Sequence, residues 1–120
     1  MNSKELEGRL RSLAIRVVNL CDALHKKKIS KVIEDQLLRS SFSAAANYRA
    51  ACKGISKKSF ASKLSIAFEE ADETLFWLET IIELELLPLE KLSAIIKEAT
   101  ELTSILAAAR KTTQASLRKS

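Results

Sequence analysis

The stretch SFSAAANYRAACKG, residues 41–54, gathers an amide at Asn47, a guanidinium at Arg49, a thiol at Cys52 and an ammonium at Lys53. Neighbouring cations lower a thiol's pKa, and the thiolate is the reactive form. Nucleophilic catalysis also needs a base, and the sequence pairs no His or Asp with Cys52. Cys52 therefore reads as a structural or surface thiol. His25, the single histidine, falls at the end of a helical pattern beside Lys26, where a cation suits the helix dipole. Glu69, Glu70, Asp72 and Glu73 crowd carboxylates together, but a di-metal bundle needs Glu-x-x-His pairs turned inward. One His and two Cys without a Cys-x-x-Cys make no zinc ligand set. The turn KGISKKS, residues 53–59, lacks P-loop spacing, although a helix start carrying Lys57 and Lys58 attracts anions. The residues point to no catalytic site, no metal and no cofactor.

The elements that must carry these side chains are helices. The chain of 120 residues has two glycines and one proline, too few for the turns of a sheet protein. Leu6, Leu10, Leu13, Val17, Leu20 and Leu24 recur at steps of 4, 3, 4, 3 and 4, a heptad seam. It predicts a helix over about 3–26. Lys26, Lys27 and Lys28 suit that helix's C-terminal dipole, and Ser30 is the expected N-cap of the next. A second helix is expected over about 31–53, with Ile33, Leu37, Ala44, Tyr48 and Ala51 inward and Gly54 as its C′ stop. Ser56 caps a third over about 57–86, its stripe running Phe60, Leu64, Ala67, Ala71, Leu75, Leu78, Ile82. Pro88 breaks it. A fourth is expected over about 89–112 on Leu92, Ile96, Ala99, Thr103 and Leu106. The expected architecture is all-α, an antiparallel up-down-up-down four-helix bundle spanning 1–112, with a basic, frayed tail at 113–120.

Charge is segregated along the chain. Residues 1–68 carry 14 Lys/Arg and 5 Asp/Glu, net +9. Residues 69–101 carry 2 and 10, net −8, and residues 102–120 carry 4 and none, net +4. Such segregation suits nucleic acid on one side, or a basic surface meeting an acidic one. No run approaches the roughly 20 apolar residues of a membrane span, and no signal-type apolar run opens the chain. The expected setting is the cytoplasm, with reduced thiols.

Helical geometry then sorts the outer faces. Arg39, Arg49 and Lys53 line up opposite the core stripe of the second helix, with Phe42 and Ala46 among them. With Lys57, Lys58 and Lys63 they form six cations uninterrupted by acid, the candidate nucleic-acid contacts. The outer face of the third helix is acidic, through Glu69, Asp72, Glu73, Glu79 and Glu83, with Phe76 in its midst. The first helix turns Ile15 and Val18 outward beside Arg11. Outward apolar residues on three helices mark a self-association surface, with Phe42, Ala46, Phe76, Ile15 and Val18 as its candidates. A head-to-tail contact between the basic and acidic faces closes into a ring. The basic stripe thus has two readings, a phosphate contact or a subunit contact. Asn47 sits on the border between faces, where its amide is expected to bond across the helix–helix seam.

The segment QLLRSSFSAAANYRAACKGISKKSFASKLSIAFEEADETLFWLETI, residues 36–81, resembles the bacterial family of proteins encoded in 23S rRNA intervening sequences. Arg39, Ala46-Asn47, Ser56-Lys57 and Glu70 through Leu78 match that family's pattern of an Arg among small residues, an Ala-Asn step, a Ser-Lys loop and a long acidic-aliphatic helix. The first and fourth helices match in pattern only. The resemblance implies a four-helix bundle assembling as a ring-shaped homopentamer, with no enzyme activity. A relative, the accessory variability determinant of diversity-generating retroelements, binds nucleic acid and a reverse transcriptase through a basic surface. The function expected on these grounds is a non-enzymatic, homo-oligomeric bundle that binds nucleic acid, RNA first, with DNA and a retroelement reverse transcriptase as further partners. The alternative is a protein-interaction or scaffold module whose basic stripe pairs with the acidic third helix of a neighbouring subunit.

Overall fold

Every turn in this chain is short, so consecutive helices have no choice but to run antiparallel. The computed structural model describes residues 1–119. Helix α1 spans Ser3–Ala23, α2 Lys28–Cys52, α3 Lys57–Glu83 and α4 Ser93–Arg118, with a single 3-10 turn at Leu89–Lys91 before α4. The helices lie side by side in an elongated bundle of 50 × 22 × 19 Å. Helix α2 packs most extensively on α3, then α3 on α4 and α1 on α2, while α1 and α4 touch only sparsely.

The helix ends follow local chemistry. Asn2 caps α1, its Oδ1 accepting from the Glu5 N–H at 2.8 Å. Ser56 caps α3 as expected, accepting from the Ser59 N–H at 3.0 Å. Other boundaries differ from expectation. Helix α1 stops at Ala23, so His25 and Lys26 lie beyond it and α1 has no cation in its last turn. Helix α2 begins at Lys28, and Ser30 is inside it rather than its N-cap. The buried Ser30 hydroxyl accepts from the Lys27 N–H and donates to the His25 carbonyl, which ties the α1–α2 turn to the first turn of α2.

Gly54 does not take the left-handed conformation of a C′ glycine. Its role is close approach: a Cβ there would stand 2.9 Å from Ser59 Oγ and 3.1 Å from the Ala51 carbonyl oxygen. The left-handed residue is Glu85, at φ 54°. The Glu85 N–H bonds to the Ile82 carbonyl and the Leu86 N–H to that of Ile81, a Schellman pair. Helix α3 is therefore closed before Pro88 is reached, and Leu86 folds back into the core. At the other extreme α4 runs on to Arg118. The expected tail at 113–120 is helical through Arg118, and Ser120 lies outside the described residues. Ala109, Thr113 and Leu117, spaced by four, are half-buried against the bundle and explain the extension.

The core holds Leu6, Leu10, Leu13, Val17 and Leu24 of the heptad seam, and the whole predicted stripe of α2. Leu20 is only half-buried, and Cys21 takes the fully inward place beside it. On α3 the buried line passes through Thr74 and Ile81, leaving Leu75 and Ile82 at its edge. On α4 it passes through Ile95 and Leu102, leaving Ile96 at the edge. Small side chains are buried on both helices of the α2–α3 seam, Ser40, Ser41, Ala44 and Ala51 on α2 and Ala67, Ala71 and Thr74 on α3. Within it Ser40 Oγ and Thr74 Oγ1 are 2.8 Å apart, both at 0% exposure. Thr74 Oγ1 donates to the Glu70 carbonyl at 2.9 Å, so the Ser40 hydroxyl donates to Thr74.

The sparse α1–α4 seam is clamped by charge. Arg9 grips Glu98 with two bonds, Nε to Oε2 at 3.0 Å and Nη2 to Oε1 at 2.6 Å, and Nη2 also lies 3.3 Å from Glu101 Oε1. The bond from Arg9 holds the Glu98 carboxyl below its ordinary value, against a smaller opposing effect of burial.

Two predictions concern stability. Thr74→Val removes the acceptor of the buried Ser40 hydroxyl and is expected to destabilise the chain by about 1–2 kcal/mol. Adding Ser40→Ala is expected to recover most of that loss in urea unfolding; additive losses would refute the coupling. A carboxylate with a depressed native pKa contributes stability above its unfolded value and loses it as pH falls through the folded value. For Glu98 the unfolded value is 4.5. Its contribution, roughly 1 kcal/mol, is expected to be intact at neutral pH and lost in strong acid. Glu98→Gln should flatten the acid limb of a stability–pH profile, and an unchanged limb would count against the clamp.

Candidate nucleic-acid interface

The antiparallel fold converts a charge pattern along the sequence into one along the bundle axis. One end collects the start of α1, the end of α2, the start of α3 and the end of α4. Cutting each helix at its middle assigns residues 1–13, 40–70 and 106–119 to that half. These hold twelve Lys/Arg and four Asp/Glu, net +8. The other half, residues 14–39 and 71–105, holds eight and eleven, net −3. Residues 1–13 and 40–68, net +6, meet the +4 segment at one pole, while residues 14–39 and most of the acidic segment go to the other.

Five of the six candidate cations, Arg49, Lys53, Lys57, Lys58 and Lys63, belong to the basic half, and all are exposed. Arg39 does not join them. It lies in the other half and reaches across to α3, with Nη1 2.6 Å from Glu70 Oε2 and Nη2 bonded to Glu73 Oε2. Its Nε donates to Gln36 Oε1 at 3.0 Å. Part of the basic stripe thus meets the acidic helix within its own chain. Arg39 holds the Glu73 carboxyl below its ordinary value, and that carboxylate also accepts from the Trp77 indole at 3.1 Å. Asn47 does not bridge helices either. Its Nδ2 donates back to Ser43 of the same helix, to the carbonyl at 2.9 Å and the hydroxyl at 3.1 Å. A polar residue among alanines here satisfies itself locally.

Two surfaces flank the basic end. In the α1–α2 groove, Phe42, Ala45 and Ala46 form an apolar floor beside Glu7, Arg11 and Arg49, around a recess of about 170 Å³. Lys4 and Lys53 extend it toward the pole. Arg49 is only loosely paired, its Nε 3.8 Å from Glu7 Oε1. Between the start of α3 and the end of α4, a second cleft of about 640 Å³ is lined by Lys57, Lys111, Thr112, Ala115, Ser116 and Lys119. Lys57 Nζ and Ser116 Oγ, 2.9 Å apart, join its walls. Below it Arg110 packs 5.3 Å over the Phe68 ring and donates to Ser65 Oγ at 3.1 Å, fixing α4 on α3. Reading 113–120 as a frayed tail missed this cleft. Lys111, Ala115 and Lys119, spaced by four, share one helical face that lines the cleft, and that spacing is the sequence signal for it.

The apolar candidates are exposed as expected: Phe76 at 56%, Phe42 at 43%, with Ile15, Val18 and Ala46 also outside. They do not form one patch. Phe42 and Ala46 share the α1–α2 groove, whereas Phe76 stands on α3 edge-to-face with Trp77, ring centroids 4.9 Å apart. Tyr48 is buried, and burial together with a bond to Cys52 pushes its phenol up.

No group of three or more His, Cys, Asp or Glu that could hold a metal occurs among the described residues. None of their helices is long and apolar enough to cross a membrane.

The fold and its surfaces define a four-helix bundle with one basic pole. The chain belongs to the family of 23S rRNA-intervening sequence proteins, whose model matches residues 8–108. It is similar to a crystal structure of a protein of unknown function from the S23 ribosomal protein family of Bacteroides thetaiotaomicron VPI-5482. That match has 34% identity and a TM-score of 0.82, and it covers 92% of this chain and 99% of the other. The comparison with curated proteins gives no match.

The two thiols differ in access. Cys52 is exposed, whereas Cys21 is buried and its thiol is pushed up to about 11, chiefly by burial and then by Glu34 and Asp22. An aromatic disulfide reagent at mildly alkaline pH is expected to label Cys52 rapidly in the native protein and Cys21 only after denaturation. Equal native rates would contradict this placement.

Proposed function

We propose that this chain is a non-enzymatic, self-associating four-helix bundle that binds nucleic acid, RNA foremost, through its basic end. The observation that carries the reading is the axial charge polarity, with twelve cations and four acids in one half of a 50 Å bundle. Clustered Lys and Arg neutralise phosphates and release counterions, which supplies affinity without sequence preference. Arg49, Lys53, Lys57, Lys58 and Lys63 contribute to this contact from the predicted set, and Lys111 and Lys119 join Lys57 across the α3–α4 cleft. Arg39, held by two carboxylates, contributes to the fold instead. The family is named for genes that lie within 23S rRNA intervening sequences, which makes RNA the first ligand to test. The retroelement relative supports a basic-surface mode of binding and, in a retroelement setting, a reverse transcriptase as partner.

The apolar floor of the α1–α2 groove, with Phe42 and Ala46 exposed in it, favours a second component, self-association. The family resemblance supports a ring-shaped homopentamer as the form of that assembly. In the competing reading the basic stripe is itself a subunit contact, pairing with the acidic α3 face of a neighbour.

One pair of substitutions separates the two readings. Arg49→Glu with Lys53→Glu is expected to weaken RNA binding at low salt by at least tenfold and to leave the assembly's mass by light scattering unchanged. Arg39→Gln is expected to leave RNA affinity unchanged. The wild-type affinity should fall steeply with salt, with a log–log slope that shrinks by about 0.7 for each single-strand phosphate contact removed. Dissociation of the assembly by the double substitution would make the stripe an interface.

A further inference from the structure

The turn between α2 and α3 places one side chain where folding has no use for it. Ile55 is 101% exposed, the most exposed large apolar residue on the molecule. Single exposed apolar residues are ordinary, but three features set this one apart. First, it stands at the basic pole, between Lys53 and the Lys57-Lys58 pair, and no acid occurs from residue 36 to residue 68. Second, the turn that carries it is tightly built. The Lys53 and Gly54 N–H groups bond to the Ala50 and Ala51 carbonyls, Ser56 caps α3, and Gly54 lies so close to Ser59 that a Cβ would clash. The backbone on both sides of Ile55 is thus held, and the ordering cost of binding falls mainly on the side chain itself. Third, Ile55 precedes the Ser56 cap and Phe60 lies four residues into α3, the two positions of a hydrophobic staple, yet full exposure shows that Ile55 does not pack on Phe60.

We propose that Ile55 is an apolar contact for an unstacked base, and that the basic end is built for single-stranded or looped RNA rather than a continuous duplex. This rests on the nucleic-acid reading above and adds the form of the ligand. Lysines on both sides of Ile55 hold phosphates flanking one nucleotide, and the side chain packs against that nucleotide's base. Bases splayed from a loop or single strand expose their faces for such packing. In an A-form duplex the base faces are stacked, the major groove is too deep and narrow to enter, and the shallow minor groove offers base edges and 2′-hydroxyls, so an aliphatic tip finds no base face there. Apolar side chains that wedge against base steps use the same chemistry in the minor groove of DNA.

The test compares the wild-type protein with Ile55→Ser on an oligouridine single strand and on a blunt RNA duplex, by fluorescence anisotropy at fixed low salt. Ile55 makes no core contact, so the variant's thermal midpoint should match the wild type's. The expected result is a loss of roughly fivefold or more on the single strand, in keeping with partial burial of one aliphatic side chain, and no change on the duplex. Equal single-strand affinities for the two proteins, with wild-type binding intact, would overturn the role of Ile55 and leave the basic-end reading standing. An equal loss on both ligands would overturn the single-strand preference. Failure of the wild type to bind either RNA would remove the nucleic-acid reading itself. Ile55-dependent binding to vesicles of anionic phospholipid, without RNA binding, would reassign the tip to a membrane surface.

Discussion

The seam between α2 and α3 is the constraint on which the rest of this molecule depends. Small residues on both helices let the two lie against each other along most of their length, and the contact is the most extensive in the bundle. Ser40 and Thr74 hydroxyls sit inside it and satisfy each other and the Glu70 carbonyl, so a polar pair at zero exposure carries no unmet hydrogen bond. Arg39 closes the same seam from outside by reaching Glu70 and Glu73. With α2 and α3 packed as a pair, the short turn between them, 53–56, projects at the basic end. The other helices dock on this pair, α1 on α2 and α4 on α3, and the thin α1–α4 seam is held by the Arg9–Glu98 clamp.

Polarity follows from topology. Helix α3 is basic near its start and acidic over the rest, and α2, whose cations run from Lys28 and Lys31 through Arg39 to Arg49, confines its acids, Glu34 and Asp35, to its first half. Running the two antiparallel brings the basic portions together and directs the acidic portion of α3 to the opposite pole. Helix α4 adds its cations at the basic pole because it remains helical to Arg118. Lys57 and Lys58 start a helix that has no acid in its first turn, an arrangement that the helix dipole alone disfavours. Those lysines are understandable as part of a surface that meets anions.

Much of the fold was legible in the sequence. The heptad seam, the stripe of α2 and the Ser56 cap depend on spacing and on local hydrogen-bond chemistry, which neighbours in the chain already contain. The misreadings share a cause, since each concerned a residue whose partner is distant or whose local alternatives are close in energy. Gly54 was read as a left-handed stop, but its constraint is the approach of Ser59. The left-handed position went to Glu85, where the Schellman bonds and the burial of Leu86 outweigh a side-chain strain of about 1 kcal/mol. Ile81 displaced Ile82, and Ile95 displaced Ile96, because a stripe wide enough for either is centred only by the neighbouring helices.

Among the candidate site residues, type and exposure were legible and partnership was not. The helical period determined that Arg39, Arg49 and Lys53 face outward, because side-chain direction follows from the backbone. Whether each cation is available to a ligand depends on which carboxylates lie across the seam, and that is a property of the packed bundle. Arg39 is tied to α3, Lys57 is drawn to the end of α4, and Arg49 remains nearly free. Four amphipathic helices and a segregated charge are local patterns, readable from residue type and spacing. That the charge gathers at one pole with Ile55 at its tip follows from antiparallel packing, which brings together residues more than fifty positions apart, as Lys57 and Ser116 show.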